Sequence, residues 1–171
     1  MIALKINDIK NFMGRLLIRE SFDTFLLERL QVLTASELVL SGKRNKKWYD
    51  SDSWEQMEQN SWGDCYYMQW KELKSTVFHY IKGSQSPELM KISFKAAQSQ
   101  VMSWLVDSGV IETYRTLKPD LFLQLRYEKG QLQLVTGIAF SQFQMDRTVE
   151  QAWDEAVRQF LRREQIAYEE E

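Results

Sequence analysis

The stretch LRYEKGQLQLVTG, residues 125–137, constrains the fold more than any other. Leu123, Leu125 and Tyr127 fall on alternate positions, and so do Leu132 and Leu134. A period of two puts each set on one face of a strand, so each strand turns one side to a core. Glu128, Lys129 and Gly130 form the turn between them, with Gly130 where a positive φ is favoured. Strands joined this closely run antiparallel, and a lone hairpin is marginal in water. Further elements must cover the apolar face.

The remaining pattern supplies them. Met1–Ile6 alternates, with Ile2, Leu4 and Ile6 on one face, and reads as a strand. Asn7 or Asp8 then caps a helix whose stripe is Ile9, Phe12, Met13, Leu16 and Leu17. Phe25–Leu33 and Glu37–Ser41 read as strands, and GKRNKKWYD extends as a third from Gly42. SDSWEQMEQNSWGD, polar and acidic, reads as a loop. A helix is expected over Asp64–Lys82, with Trp70, Leu73, Val77, Phe78 and Ile81 inward. Leu89–Lys95 is the next strand and Ala97–Val106 a helix. The hairpin Asp120–Tyr127 and Leu132–Thr136 follows, then a strand over Ile138–Met145. A helix capped by Thr148 runs to Arg163, and YEEE ends the chain as a frayed tail.

The order strand, helix, three strands, helix occurs twice. SELVLSGK matches QLQLVTGI, and QWKELKSTVFHYI matches QAWDEAVRQFL, which sets Trp70 and Glu72 against Trp153 and Glu155. The expectation is one α+β domain over residues 1–171, with mainly antiparallel sheet built from pseudo-repeats 1–86 and 87–171. A single shared core fits better than two small ones, which bury less of their surface.

Composition limits the chemistry. At 44% hydrophobic and 13% aromatic the chain can bury a core, and a net charge of −2 offers no global attraction for nucleic acid or anionic membrane. The single cysteine, Cys65, excludes an internal disulfide and fits a reducing cytoplasm. The N-terminus lacks an apolar signal segment, and no stretch reaches the roughly 18–20 apolar residues of a membrane span. No phosphate-binding glycine loop, nucleophile elbow or metalloprotease motif is present, so no cofactor, metal or catalytic residue is assigned.

Two segments are candidate contact surfaces. Lys43, Arg44, Lys46 and Lys47 lead into Trp48 and Tyr49; cations that neutralise phosphate beside rings that stack on bases suit nucleic acid. The same lysines also suit a guarded edge strand, and Asp50, Asp52, Glu55 and Glu58 follow closely. Trp54 and Trp62 either form a protein-interaction surface or fold back over the core. Cys65 and His79, on one helix, would stand roughly 21 Å apart at 1.5 Å per residue, too far for a catalytic pair. Glu72 and Glu155 are candidates for a metal or acid–base pair, or for ordinary surface ion pairs.

PDLFLQLRYEKGQLQLVTGIAFSQFQM and MIALKINDIKNFMGRLL resemble the repeating strand–helix–three-strand unit of DNA sliding clamps. That resemblance implies a clamp-like half and a nucleic-acid-associated role. Clamps line their hole with basic helices, whereas AQSQVMSWLV has no Lys or Arg. The whole chain, including AWDEAVRQFL, also resembles an uncharacterised bacterial family of unknown function, which implies no activity. The expected role is a non-enzymatic cytoplasmic interaction or scaffold module, with a protein partner or a second copy of itself. The rivals are a clamp-like nucleic-acid-associated protein and an enzyme of unrecognised type.

Overall fold

The computed structural model describes residues 1–61 and 64–171. Seven strands, β1 (Ala3–Ile6), β2 (Leu26–Leu33), β3 (Glu37–Ser41), β4 (Leu89–Lys95), β5 (Asp120–Glu128), β6 (Gln131–Ala139) and β7 (Tyr168–Glu170), form one sheet. Its order is β3-β2-β4-β5-β6-β1-β7, and every neighbour is antiparallel. The helices are α1 (Ile9–Leu17), α2 (Ser51–Asn60), α3 (Trp70–Ile81), α4 (Gln98–Trp104), α5 (Ile111–Leu117) and α6 (Thr148–Arg163). This is the expected α+β class. β4 lies between the two hairpins, whereas β1, which opens the first half, lies outside β6. No helix among the described residues is long and apolar enough to cross a membrane.

The alternation in β5 and β6 does what the pattern demands. Leu121, Leu123, Leu125 and Tyr127 are buried with Leu132 and Leu134. They join Phe12 and Leu16 of α1, Trp70 and Val77 of α3, Val101 of α4, Tyr114 of α5 and Trp153 and Phe160 of α6 in one core. Phe22, Phe25, Phe94 and Phe160 meet at ring distances of 5.2–6.0 Å, mixing edge-on, tilted and stacked contacts. The indole N–H groups of Trp70 and Trp153 donate to the carbonyls of Leu16 and Phe122, so neither is stranded in the interior. The hairpin turn has positive φ at both Lys129 (52°) and Gly130 (73°), which matches the right-handed twist of the strands.

Several boundaries differ from expectation. Residues 51–60 are helix α2, not loop: the Asp50 carboxylate accepts from the Ser53 N–H at 2.8 Å and starts the helix. No strand continues from Gly42, because Asn45 caps a short 3₁₀ turn, Lys46–Trp48. Asp64–Tyr66 is a separate 3₁₀ turn, and α3 begins only at Trp70, behind a reciprocal cap between Gln69 and Glu72. Ile138–Met145 is not a third strand: Ile138 and Ala139 close β6, and Ala139 pairs with Asp120, the first residue of β5, with no pairing beyond it among the described residues. Helix α5 lies in a stretch that carried no assignment. The tail is not frayed. Gln165, at φ 55°, reverses the chain so that Tyr168–Glu170 pairs with β1.

Candidate functional site

The segment between β3 and α2 gathers most of the residues singled out by sequence. Gly42 opens it. A Cβ there would sit 1.8 Å from the Leu27 carbonyl oxygen, so only glycine fits. Lys43 bridges to Tyr67, and the Arg44 N–H donates to the Tyr66 carbonyl at 2.8 Å. The Arg44 guanidinium turns inward and donates to Glu72 at 2.7 Å and to the Tyr49 hydroxyl at 3.0 Å. Burial pulls its pKa down, but those two partners outweigh burial and leave it above the ordinary arginine range. Arg44 is therefore a structural tie and not a free cation.

Beyond it the chain turns outward. Asn45 accepts from the Lys47 N–H at 3.2 Å, and the Trp48 N–H returns to the Asn45 carbonyl at 3.0 Å. This turn holds Trp48 in the open, with 83% of its surface exposed. Lys43, Lys46 and Lys47 are exposed around it. Trp54 goes the other way. It is 2% exposed, packed between the rings of Tyr49 and Tyr66 at 5.8 Å each, with the Lys46 ammonium 5.5 Å above its ring. Trp54 is thus not an interaction surface; it anchors α2. Its indole N–H has no hydrogen-bond partner among the described residues. Trp62 lies outside the described residues.

The electrostatics of this patch are mixed. Asp52, Glu55 and Glu58 of α2 are exposed next to the basic turn. A long polyanion laid across the lysines would meet these carboxylates.

The other residue pairs separate. Cys65 is buried in its 3₁₀ turn and His79 is exposed on α3, so they do not share a helix, and no hydrogen bond joins them. Glu72 is held by Arg44 and the Gln69 N–H, and Glu155 by Arg158 and Arg162. Among the described residues no group of three or more acidic, Cys or His side chains is placed to hold a metal.

Two features were not apparent from the sequence. One face of the sheet carries no helix among the described residues. Across it runs the row Val39, Gln31, Lys91, Arg126, Gln133, Lys5 and Glu169, one residue from each strand. A cleft of about 400 Å³ lies along its middle, between Arg29, Lys91 and Arg126. The second is a small pocket of about 130 Å³ around Asp64, Lys95, Tyr114 and Asp120. Burial raises the Asp64 carboxyl, against backbone bonds from Gln98 and Ser99 and the charge of Lys95. Burial, with Asp64 and Asp120 nearby, pushes Tyr114 up to about 12. Both Asp64 oxygens accept from the Gln98 N–H, so this acid caps α4 from a remote segment. Only the alternate polar positions of the strands, read together, could have signalled the open face.

A family model matches residues 15–169, from α1 to the last strand. The chain belongs to DUF5721, a family of unknown function. The resemblance to a family without an assigned activity is thereby borne out. In this DUF5721 member the matched region takes in the Trp48 turn, the cleft on the open sheet face and the Asp64 pocket. No curated protein and no solved structure matches the chain.

Proposed function

We propose that this DUF5721 chain is a non-enzymatic, cytoplasmic protein-interaction module, and that the Trp48 turn is its contact surface. The observation that carries this reading is an indole exposed over 83% of its surface yet fixed by an ordered, side-chain-capped turn. A turn already ordered gives up little backbone entropy when a partner covers its ring, and Trp dominates binding hot spots. The neighbouring ammonium groups of Lys43, Lys46 and Lys47 and the carboxylates of α2 supply a polar rim. Asp64, whose carboxyl pKa burial raises, is occupied as a helix cap, which supports a structural use for it.

The test is capture of partners by the wild-type chain and by Trp48→Ala, followed by titration calorimetry with the purified partner. Loss of a hot spot should weaken binding by about 30-fold or more, from roughly 2 kcal/mol. Equal affinity for both chains overturns the reading. The rival is tested with single-stranded DNA and RNA at about 50 mM salt. Binding that is abolished in Lys46→Glu/Lys47→Glu would replace the protein partner with a nucleic acid.

A further inference from the structure

The two edges of the sheet are built differently. β7 is three residues long and carries Glu169 and Glu170, with Glu170 held by Arg158 of α6. Short length and charge are the usual protections of an edge. β3 has neither lysine, arginine nor proline within it: its five residues read Glu37, Leu38, Val39, Leu40, Ser41. Its pairing with β2 runs without a bulge. Val39, at the centre, is 46% exposed.

The free hydrogen-bonding groups on this edge can be assigned. The Gly42 N–H donates to the Glu28 carbonyl, which makes Glu28 and Gly42 a bonded pair. Bonded and non-bonded pairs alternate along an antiparallel ladder. Leu40 and Leu38 therefore bond inward to Leu30 and Val32. The N–H and C=O groups of Glu37, Val39 and Ser41 point outward. Among the described residues none of these backbone groups has a backbone partner.

We propose that β3 is a homodimerisation edge, paired antiparallel with β3 of a second copy about a two-fold axis through Val39. The sequence of the strand is close to a palindrome about that residue, and this is what selects a second copy over an unrelated strand. Val39 faces its own counterpart, Leu38 faces Leu40, and the Glu37 carboxylate faces the hydroxyl of Ser41. The outward groups of three residues on each chain make about six backbone hydrogen bonds. The two Glu37 side chains stand four residues apart along the strand, about 13 Å, beyond the reach of strong repulsion at physiological salt. The two open faces become one continuous surface. The pairing is isologous, so it closes at a dimer and does not propagate.

This contact is distinct from the Trp48 turn, and the two readings fail separately. The experiment uses the full chain in sedimentation velocity across a wide concentration range. Wild type shows a concentration-dependent dimer. Val39→Lys, which guards the edge without touching the core, is monomeric with unchanged circular dichroism and thermal midpoint. A disulfide test fixes the register. Paired Val39 residues lie about 5.5 Å apart at Cα, within the span of a disulfide. Val39→Cys therefore crosslinks on oxidation. Glu37→Cys alone does not, but it crosslinks when mixed with Ser41→Cys. Wild type, whose only thiol is the buried Cys65, is the blank. A strictly monomeric wild type, a dimer that survives Val39→Lys, or equal crosslinking of Val39→Cys and Glu37→Cys alone overturns the proposal.

Discussion

Gly42→Ala should damage the fold where β3 hands over to the Trp48 turn. The added methyl would lie 1.8 Å from the Leu27 oxygen, 2.6 Å from its carbonyl carbon and 2.8 Å from its Cβ. Two of these are backbone atoms of a central strand, so no rotamer change relieves the clash. Ordinary contact requires the two chains to part by about 1.5 Å. Three backbone hydrogen bonds cross this point: Gly42 to Glu28 at 3.2 Å, Met68 to Gly42 at 2.8 Å and Leu27 to Met68 at 2.9 Å. A separation of that size breaks at least the first and strains the others. At about 1 kcal/mol per bond the loss is roughly 2–3 kcal/mol, within the range seen for overpacked sites. Gly14→Ala is the control. Gly14 lies inside α1 with nothing within 4 Å of its would-be Cβ, so alanine there should stabilise by about 0.5–1 kcal/mol. Urea denaturation of both variants measures the difference, with the slope checked for constancy. A Gly42→Ala cost below about 0.5 kcal/mol would mean that the close approach of Gly42 to Leu27 does not constrain this junction.

Other perturbations separate structural from contact residues. Trp54→Ala should cost about 3–5 kcal/mol, because a buried indole leaves a cavity, while Trp48→Ala should change stability by less than about 0.5 kcal/mol; chemical denaturation of both decides it. Asp64→Ala removes the cap of α4 and should cost about 1 kcal/mol by the same measurement. Glu150 is held at about 2, against an ordinary 4.5, by hydrogen bonds from Arg147 and then from the Met1 amine. Its folded pKa is the lower one, so its stabilisation is complete above about pH 4.5 and is lost as the pH falls towards 2. Stability measured against pH should therefore drop less steeply through this window in Glu150→Gln.

What the sequence made legible was the periodic part. The pattern locates β3 and β4 at Glu37–Ser41 and Leu89–Lys95, as found, and β2, the hairpin and α6 within a few residues, because their apolar positions repeat and end at recognisable punctuation. The turn at Lys46–Trp48 and helix α2 escape the periodic pattern because their apolar positions are few. Residues 51–60 offer only Trp54 and Met57 to a helical stripe, and what commits them to helix is the Asp50 cap. The start of α3 is not legible because Asp64 looks like a local cap. It is a cap, but a remote one, for α4, more than thirty residues further along the chain. Capping is read from sequence as a local event, and here it is made across the fold.

The candidate site follows the same division. The composition of residues 43–49 marked the segment, but a run of four cations and two rings cannot reveal which members are consumed internally. Glu72, on α3, removes Arg44 from the surface, and the Tyr49 and Tyr66 rings remove Trp54. Trp48 alone among these indoles is left outside, because the Asn45-capped turn points it away from the rings that enclose Trp54. The two tryptophans are six residues apart and have opposite fates, and only the neighbours supplied by α3 and the Tyr66 turn decide between them. An exposed ring on a capped turn, beside a second ring enclosed by its neighbours, is the contrast on which the proposed contact rests.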